Sequence, residues 1–237
     1  LLDNKDVVSA ISGAIAGASN PGKAALLDVL GEKAAGDQVS LAVPYLTNAD
    51  PAIKSAAGKA LEKMVSSKNL PEIFAMLSAS SDPADQKNLQ NILISGLNGI
   101  NNADQRSAML LQQYQATPAA QKAKLYPVFS GTGGPSALQT ISNDYANTGD
   151  AEKSAIISAL SGWKNGEATN TLFRLIGNNS NPSLGDDLVK GFIQQIPAAK
   201  YTPEQKFLLT RGVIESTSGK SQLAGLLDVL PESPVYG

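Results

Sequence analysis

A helix-start signal recurs along this chain at nearly constant spacing, and it constrains the fold more than any other feature. Asn20-Pro21, Asp50-Pro51, Asp82-Pro83, Thr117-Pro118 and Asn181-Pro182 each couple a helix-capping side chain with a proline, and Asp150-Ala151 fills the long gap with a cap alone. The cap positions 20, 50, 82, 117, 150 and 181 are separated by 30, 32, 35, 33 and 31 residues. A cap oxygen accepts a bond from an otherwise orphan backbone N–H. Proline in the first turn has no N–H to leave unsatisfied, and its φ already suits a helix. A period of this size in helical sequence predicts stacked helical hairpins, not one globule around a single centre.

The apolar pattern agrees. Leu26, Leu27 and Leu30 follow Asn20; Ala56, Ala57, Ala60 and Leu61 follow Asp50; Leu89, Ile92 and Leu93 follow Asp82. Ile156, Ile157 and Leu160 follow Asp150, and Leu184, Leu188, Phe192 and Ile196 follow Asn181. These are helical intervals, one apolar face per segment. A shorter apolar segment precedes each cap, so each unit reads as a short helix, a tight turn and a second helix. The expected helices are 3–17, 21–35, 38–47, 51–66, 70–79, 83–98, 104–115, 118–130, 134–146, 151–163, 167–177, 182–196, 203–217 and 219–230. Thr202-Pro203 with Gln205 predicts a capping box, and Asn69 with Glu72 predicts another. No segment alternates with period two. The last two helices break the rhythm, so residues 1–230 read as one array with an irregular pair at 203–230, and 231–237 as an exit linker.

Composition narrows the chemistry. Nineteen basic against 21 acidic residues give a formal charge of −2, which supplies no pull toward nucleic acid or an anionic membrane. The chain has no histidine and no cysteine. That removes the usual general base near neutral pH, the commonest metal ligand and any thiolate site. No apolar run approaches the length of a membrane span. No cofactor is expected.

Few constellations could carry chemistry. Gly131-Thr132-Gly133-Gly134-Pro135 lacks the preceding strand and the following lysine of a phosphate loop and reads as an inter-repeat loop. The acidic pairs Asp3/Asp6, Asp82/Asp85 and Asp186/Asp187 suit helix first turns better than a catalytic carboxylate pair. Ser66-Ser67-Lys68 and Ser218-Gly219-Lys220 fall at helix ends and read as surface turns. Asn178-Asn179-Ser180 fits the glycosylation acceptor pattern. Trp163, the only tryptophan, is either an edge anchor for a partner or packing against the next repeat. Lys54, Lys87, Lys122 and Lys153 fall three to five residues after successive caps. In a stack they form a ridge that either meets an anionic ligand or acidic partner or is an ordinary solvated face, with Glu152 and Asp85 beside it and Asp186 interrupting the row.

Asp50-Pro51-Ala52-Ile53-Lys54, followed by Ala56-Ala57-Gly58-Lys59-Ala60-Leu61, resembles the hallmark of HEAT-like, armadillo-related repeats. In that family an aspartate and often a proline end the inter-helix turn, and an aliphatic and a basic residue open the second helix. Lys54 stands where arginine is commoner, and Asp85 stands where the aliphatic belongs in the next unit. The resemblance implies an all-α, right-handed α-solenoid of about six stacked hairpins. The texture, rich in Ala, Ser, Asn, Gln and Lys with only Arg106, Arg174 and Arg211, resembles exported Bacteroidota proteins. Some of those join HEAT-like stretches to a sugar-hydrolase-type jelly roll. The function expected is a non-enzymatic protein-binding scaffold whose partner is a protein or a carbohydrate, with Lys54, Lys87, Lys122, Lys153 and Trp163 as contact residues. The alternative is an accessory domain of a larger secreted glycan-acting enzyme, with further domains in the same polypeptide. The expected location is the periplasm or the cell surface, with the cytoplasm as the alternative.

Overall fold

The computed structural model describes residues 4–217 and 219–231. Asp3 of the first acidic pair and helix, Ser218 of the second Ser-Lys group, and 232–237 of the exit linker lie outside the described residues. Within them the chain folds into fourteen α-helices and no strand. They are α1 (Asn4–Ala14), α2 (Asn20–Glu32), α3 (Val39–Ala42), α4 (Pro51–Met64), α5 (Leu70–Ala79), α6 (Pro83–Asn98) and α7 (Ala103–Ala116). Then follow α8 (Tyr126–Thr132), α9 (Pro135–Asn147), α10 (Asp150–Ser161), α11 (Thr169–Asn178), α12 (Pro182–Gln195), α13 (Pro203–Ser216) and α14 (Lys220–Asp228).

Three segments expected as single helices are broken: the described part of 3–17 is α1 and a 3₁₀ turn, Ile15–Gly17, and in the other two proline is the reason. The span 118–130 is a 3₁₀ stretch, Ala119–Leu125, followed by α8 with Pro127 in its first turn. The span 38–47 is the short α3 followed by a 3₁₀ turn, Val43–Thr47, that opens on Pro44. An interior proline removes one i→i−4 bond and crowds the preceding turn, so the chain restarts its helix there.

The caps divide in the same way. Asp50 accepts from the Ala52 N–H, Asp82 from Asp85, and Asn181 from Ser183. Thr202 and Gln205 form the reciprocal box. At the other expected starts the cap is different. Ser19, not Asn20, caps α2, and Asn20 is already helical. Gly149 precedes α10 without a side-chain bond, and Asp150 is its first residue. Thr117 closes α7, its hydroxyl donating to the Gln113 carbonyl. Asn69 makes no cap bond to α5; its side-chain oxygen accepts from Ser66. Threonine and asparagine bond backward as readily as forward, so cap-proline spelling alone does not fix the direction.

Backbone contacts divide the chain into two compact units, 1–124 and 125–237. In the first, α2 packs on α4 and α4 on α6, while α5 lies against α6. In the second, α8, α10, α12 and α14 pack in succession, and α11 contacts both α12 and α13. Each even-numbered helix therefore meets the even-numbered helices before and after it within its unit. The expected stripes form these contacts. Ala56, Ala57, Ala60, Leu61, Leu89, Ile92, Leu93, Ile156, Ile157, Leu160, Leu184, Leu188, Phe192 and Ile196 are buried, as are Leu27 and Leu30, while Leu26 is half-buried. Each large apolar side chain so buried contributes roughly 1.5–3 kcal/mol.

Small residues set how closely these helices approach. A Cβ at Gly31 of α2 would stand 2.8 Å from the Ala60 Cα of α4. At Gly191 of α12 it would stand 2.3 Å from the Ser161 hydroxyl of α10. Side chains also bond from one hairpin to the next at sequence offsets of 30 to 34 residues. Asn20 donates to Asp50 and Asn181 to Asp150, both at 2.9 Å, 30 and 31 residues apart. Gln90 donates to the Lys124 carbonyl 34 residues on, and Ser95 to the Glu62 carbonyl 33 residues back.

Candidate functional site

The four lysines of the expected ridge stand in the first turns of second helices or just before them, and three of them are engaged locally. The Lys54 ammonium donates to Asp85 Oδ1 at 2.8 Å, across the 31-residue offset. That bond, with the negative charges of Asp85 and Asp82, raises the Lys54 pKa against the opposing effect of burial. Lys122 lies 4.4 Å from the centre of the Tyr114 ring. Lys153 lies 5.5 Å from the centre of the Tyr145 ring and 3.9 Å from Asp150. Only Lys87 projects from an exposed position with none of these partners. Each ring contact is worth about 0.5–1 kcal/mol at such sites, so it orients the lysine without locking it. Each tyrosine stands eight residues before its lysine, a spacing visible in the sequence beforehand.

Trp163 sits inside the fold at 3% exposure. It is a packing residue and offers no ring face to a partner. Its indole N–H donates to Glu167 Oε2 at 3.4 Å, and the Gly134 N–H reaches the same oxygen at 3.4 Å. The glycine-dense loop is therefore tied down. Gly133 and Gly134 take φ of 76° and 101°, values that favour glycine. The buried Gln195 amide donates to the Ser161 carbonyl at 2.8 Å and the Trp163 carbonyl at 2.9 Å. Neither Glu167 nor Gln195 carries a local sequence signal for these roles, because both bond partners come from other turns.

Three of the acidic-pair residues serve structure. Asp82 caps α6, Asp85 holds Lys54, and Asp187 meets Lys190 of its own helix at 3.3 Å. Ser66 bonds to Asn69 at the start of α5, and Asn178 is exposed at the end of α11.

A different titrating group lies between α8, α9 and α10. The fully buried Tyr126 hydroxyl donates to Glu152 Oε1 at 2.9 Å, and burial together with Glu152 pushes its pKa far up. Asp144 has a buried oxygen, Oδ2, that lacks a hydrogen bond, and burial, then the Glu152 charge, raises its pKa. It also stands in the last turn of α9, where a negative charge opposes the helix dipole. A carboxyl with a raised folded-state pKa binds more protons folded than unfolded, so its contribution to stability falls as pH rises above the ordinary value of 3.8. Asp144→Asn should therefore stabilise the fold at pH 7 by less than about 1 kcal/mol after solvent screening, seen as a higher melting temperature. The gain should vanish below the ordinary Asp range. Thermal melts of both proteins across pH 3–8 measure this, and a loss of stability at pH 7 would refute it.

Several concavities lie along the seams, and two of them carry distinct chemistry. One of about 360 Å³ opens between the Val43–Thr47 turn, α5 and α6, with Leu46, Met76, Ala79 and Leu89 beside Asp82 and Asp85. The other, about 440 Å³, runs between α10 and α12 and carries Ser154, Ser158, Ser161, Asp187, Lys190 and Gln194. Ser154 and Ser161 donate to carbonyls of their own helix, so they present oxygen lone pairs to the groove. Among the described residues no group of three or more His, Cys, Asp or Glu is placed to hold a metal ion. No helix among them is long and apolar enough to cross a membrane. No protein family, curated protein or solved structure matches this chain.

Proposed function

We propose that this chain is a right-handed α-solenoid of about six HEAT-like hairpins. It serves as a non-catalytic scaffold that binds a macromolecular partner along an extended curved face. The observation that carries this reading is the side-chain bonding from hairpin to hairpin at separations of 30 to 34 residues. Stacked units of that kind bury a continuous apolar seam and leave a long polar flank for recognition. The favoured flank bears Lys87 and Lys122 in the first unit and Lys153 in the second: Lys87 is exposed, Lys122 rests on the Tyr114 ring, and Lys153 on the Tyr145 ring with Asp150 3.9 Å away. Lys54 is committed to Asp85 and contributes to the rim through that pair.

The test is affinity capture from an extract of the source cells, with the wild-type chain and the Lys87→Glu/Lys122→Glu/Lys153→Glu variant as parallel baits. The rim assignment expects a specific partner whose capture drops roughly fivefold or more with the variant. Equal capture by both baits removes the rim, and failure to retain any specific partner removes the scaffold reading.

The groove between α10 and α12 favours a second reading, an accessory domain of a larger secreted glycan-acting enzyme. Its serine oxygens, the Gln194 amide and the Asp187/Lys190 pair match the hydroxyl-rich surface of a carbohydrate. Retarded migration in gels containing soluble polysaccharide would support it, and unretarded migration through a panel of polysaccharides would not. Either reading fits a periplasmic or cell-surface protein.

A further inference from the structure

We propose that the concavity between the Val43–Thr47 turn, α5 and α6 seats an arginine side chain from a segment of a partner protein. The source of that arginine rests on the scaffold reading; the pocket is independent of the lysine rim and opposite to it in charge. The cavity holds about 360 Å³, the small end of the range for ligand clefts, which suits one long side chain. Leu46, Met76, Ala79 and Leu89 supply its apolar wall, and the charged residues that line it are Asp82 and Asp85. All of these belong to the first compact unit. A bare metal ion does not suit such a wall, because hard cations take oxygen ligands on every side. An aliphatic stem with a positive charge at its end does suit it.

The chain's own lysines show that this place draws cations. Lys54 donates to Asp85 Oδ1 at 2.8 Å, and Lys124 donates to the Ser78 and Ser80 carbonyls at 2.7 and 2.8 Å. Neither lysine lines the cavity, so both leave it open. Asp82 uses Oδ1 to cap α6 through the Asp85 N–H. The second oxygen of each aspartate remains for a ligand. Two carboxylates against the single ammonium bonded to them leave negative charge for the occupant to meet. The C-terminal end of α5 and the N-terminal end of α6 meet here, and their opposite partial charges offset one another. Guanidinium answers this arrangement better than ammonium. Its planar fork reaches carboxylate oxygens with several donors and is weakly hydrated, while its stem lies along apolar surface. Met76 is half-buried, and its flexible thioether adapts to such a stem. Free arginine carries its own carboxylate, which the two aspartates repel; an arginine within a peptide does not.

The test is an NMR titration of the whole chain with the peptide N-acetyl-Gly-Arg-Gly-amide and with its citrulline counterpart, which has the same shape and no charge. The arginine peptide should saturate shifts at Met76, Asp85 and Leu89 with a dissociation constant on the order of 1 mM. The citrulline peptide should leave those signals in place. Asp82→Asn and Asp85→Asn, made separately, should each weaken the arginine peptide about tenfold, the worth of a hydrogen bond to a charged group. Asparagine caps a helix as well as aspartate does, and circular dichroism checks that both variants keep the wild-type melt. The Lys87→Glu/Lys122→Glu/Lys153→Glu variant should lose no affinity for the peptide, so a failure of the rim is read separately from a failure of this pocket. Absence of a saturable shift overturns the proposal, as does equal binding of the citrulline peptide or unchanged affinity in both asparagine variants. Free arginine binding more tightly than the peptide would overturn the partner segment as the source.

Discussion

Gly166→Ala should lower stability by about 3–5 kcal/mol, in the range reserved for severe backbone and packing faults. Gly166 holds φ of 69° directly after Asn165 at 57°, so the chain makes two successive left-handed steps between Trp163 and α11. A side chain at the second step costs about 1 kcal/mol from φ alone. The larger cost is contact. An added Cβ would stand 2.3 Å from the Ala199 N and 2.6 Å from the Ala198 carbonyl carbon. These are backbone atoms, fixed by the Ala199 N–H bond to Ile196, and no side-chain rotation can relieve the clash. The turn after α10 must lift off the turn after α12, straining the Gln195 bonds to Ser161 and Trp163 and loosening the cover over Trp163. Urea unfolding followed by circular dichroism measures the effect, with the Trp163 emission reporting the same site. A loss below about 1 kcal/mol would mean that the two turns do not press together.

Phe192→Ala should cost a comparable amount, about 3–5 kcal/mol. Phe192 is 0% exposed on α12, the helix that meets α10, α11 and α14. Its ring lies 6.5 Å from that of Phe173 at an interplanar angle of 46°. Truncation deletes the largest apolar group on that helix and leaves a cavity lined by more than one neighbouring helix. Collapse is limited because Gly191 beside it already brings α10 and α12 into contact. Hydrogen exchange should show lost protection in α10, α11, α12 and α14 together, since nearest-neighbour packing couples repeats. Loss confined to α12, or a stability change under about 1.5 kcal/mol, would contradict the packing described.

The legible part of this fold was local. A cap oxygen and its N–H partner lie within three residues, so Asp50, Asp82, Asn181 and the Thr202–Gln205 box could be read directly, and the apolar stripes located the buried faces. The misread starts were local too. Ser19 competed with Asn20 from the adjacent position, and Thr117 bonded backward into α7. The breaks at Pro44 and Pro127 were present in the sequence and were outweighed by the regular period. The candidate site was harder, because its partners are set by stacking. Lys54 was visible as one lysine in a row, but its acid, Asp85, belongs to the next unit. Trp163 was visible as a lone aromatic, while its burial depends on Glu167 and on the carbonyl bond from Gln195. Aromatic anchoring of Lys122 and Lys153 had a readable spacing, since in both cases the tyrosine closes one helix and the lysine follows the turn.

The proposed stacking is translational within each unit: one hairpin should meet the next through equivalent positions, one repeat further along. Zero-length carbodiimide cross-linking of the unmodified chain, read by mass spectrometry, tests it most directly, because it joins only ammonium and carboxyl groups already in contact. Amide links between Lys54 and Asp85 and between Lys63 and Glu32, each 31 residues apart, are the expected result. Links scattered over unrelated separations, with both of these pairs missing, would show helices gathered about a common centre and contradict the account.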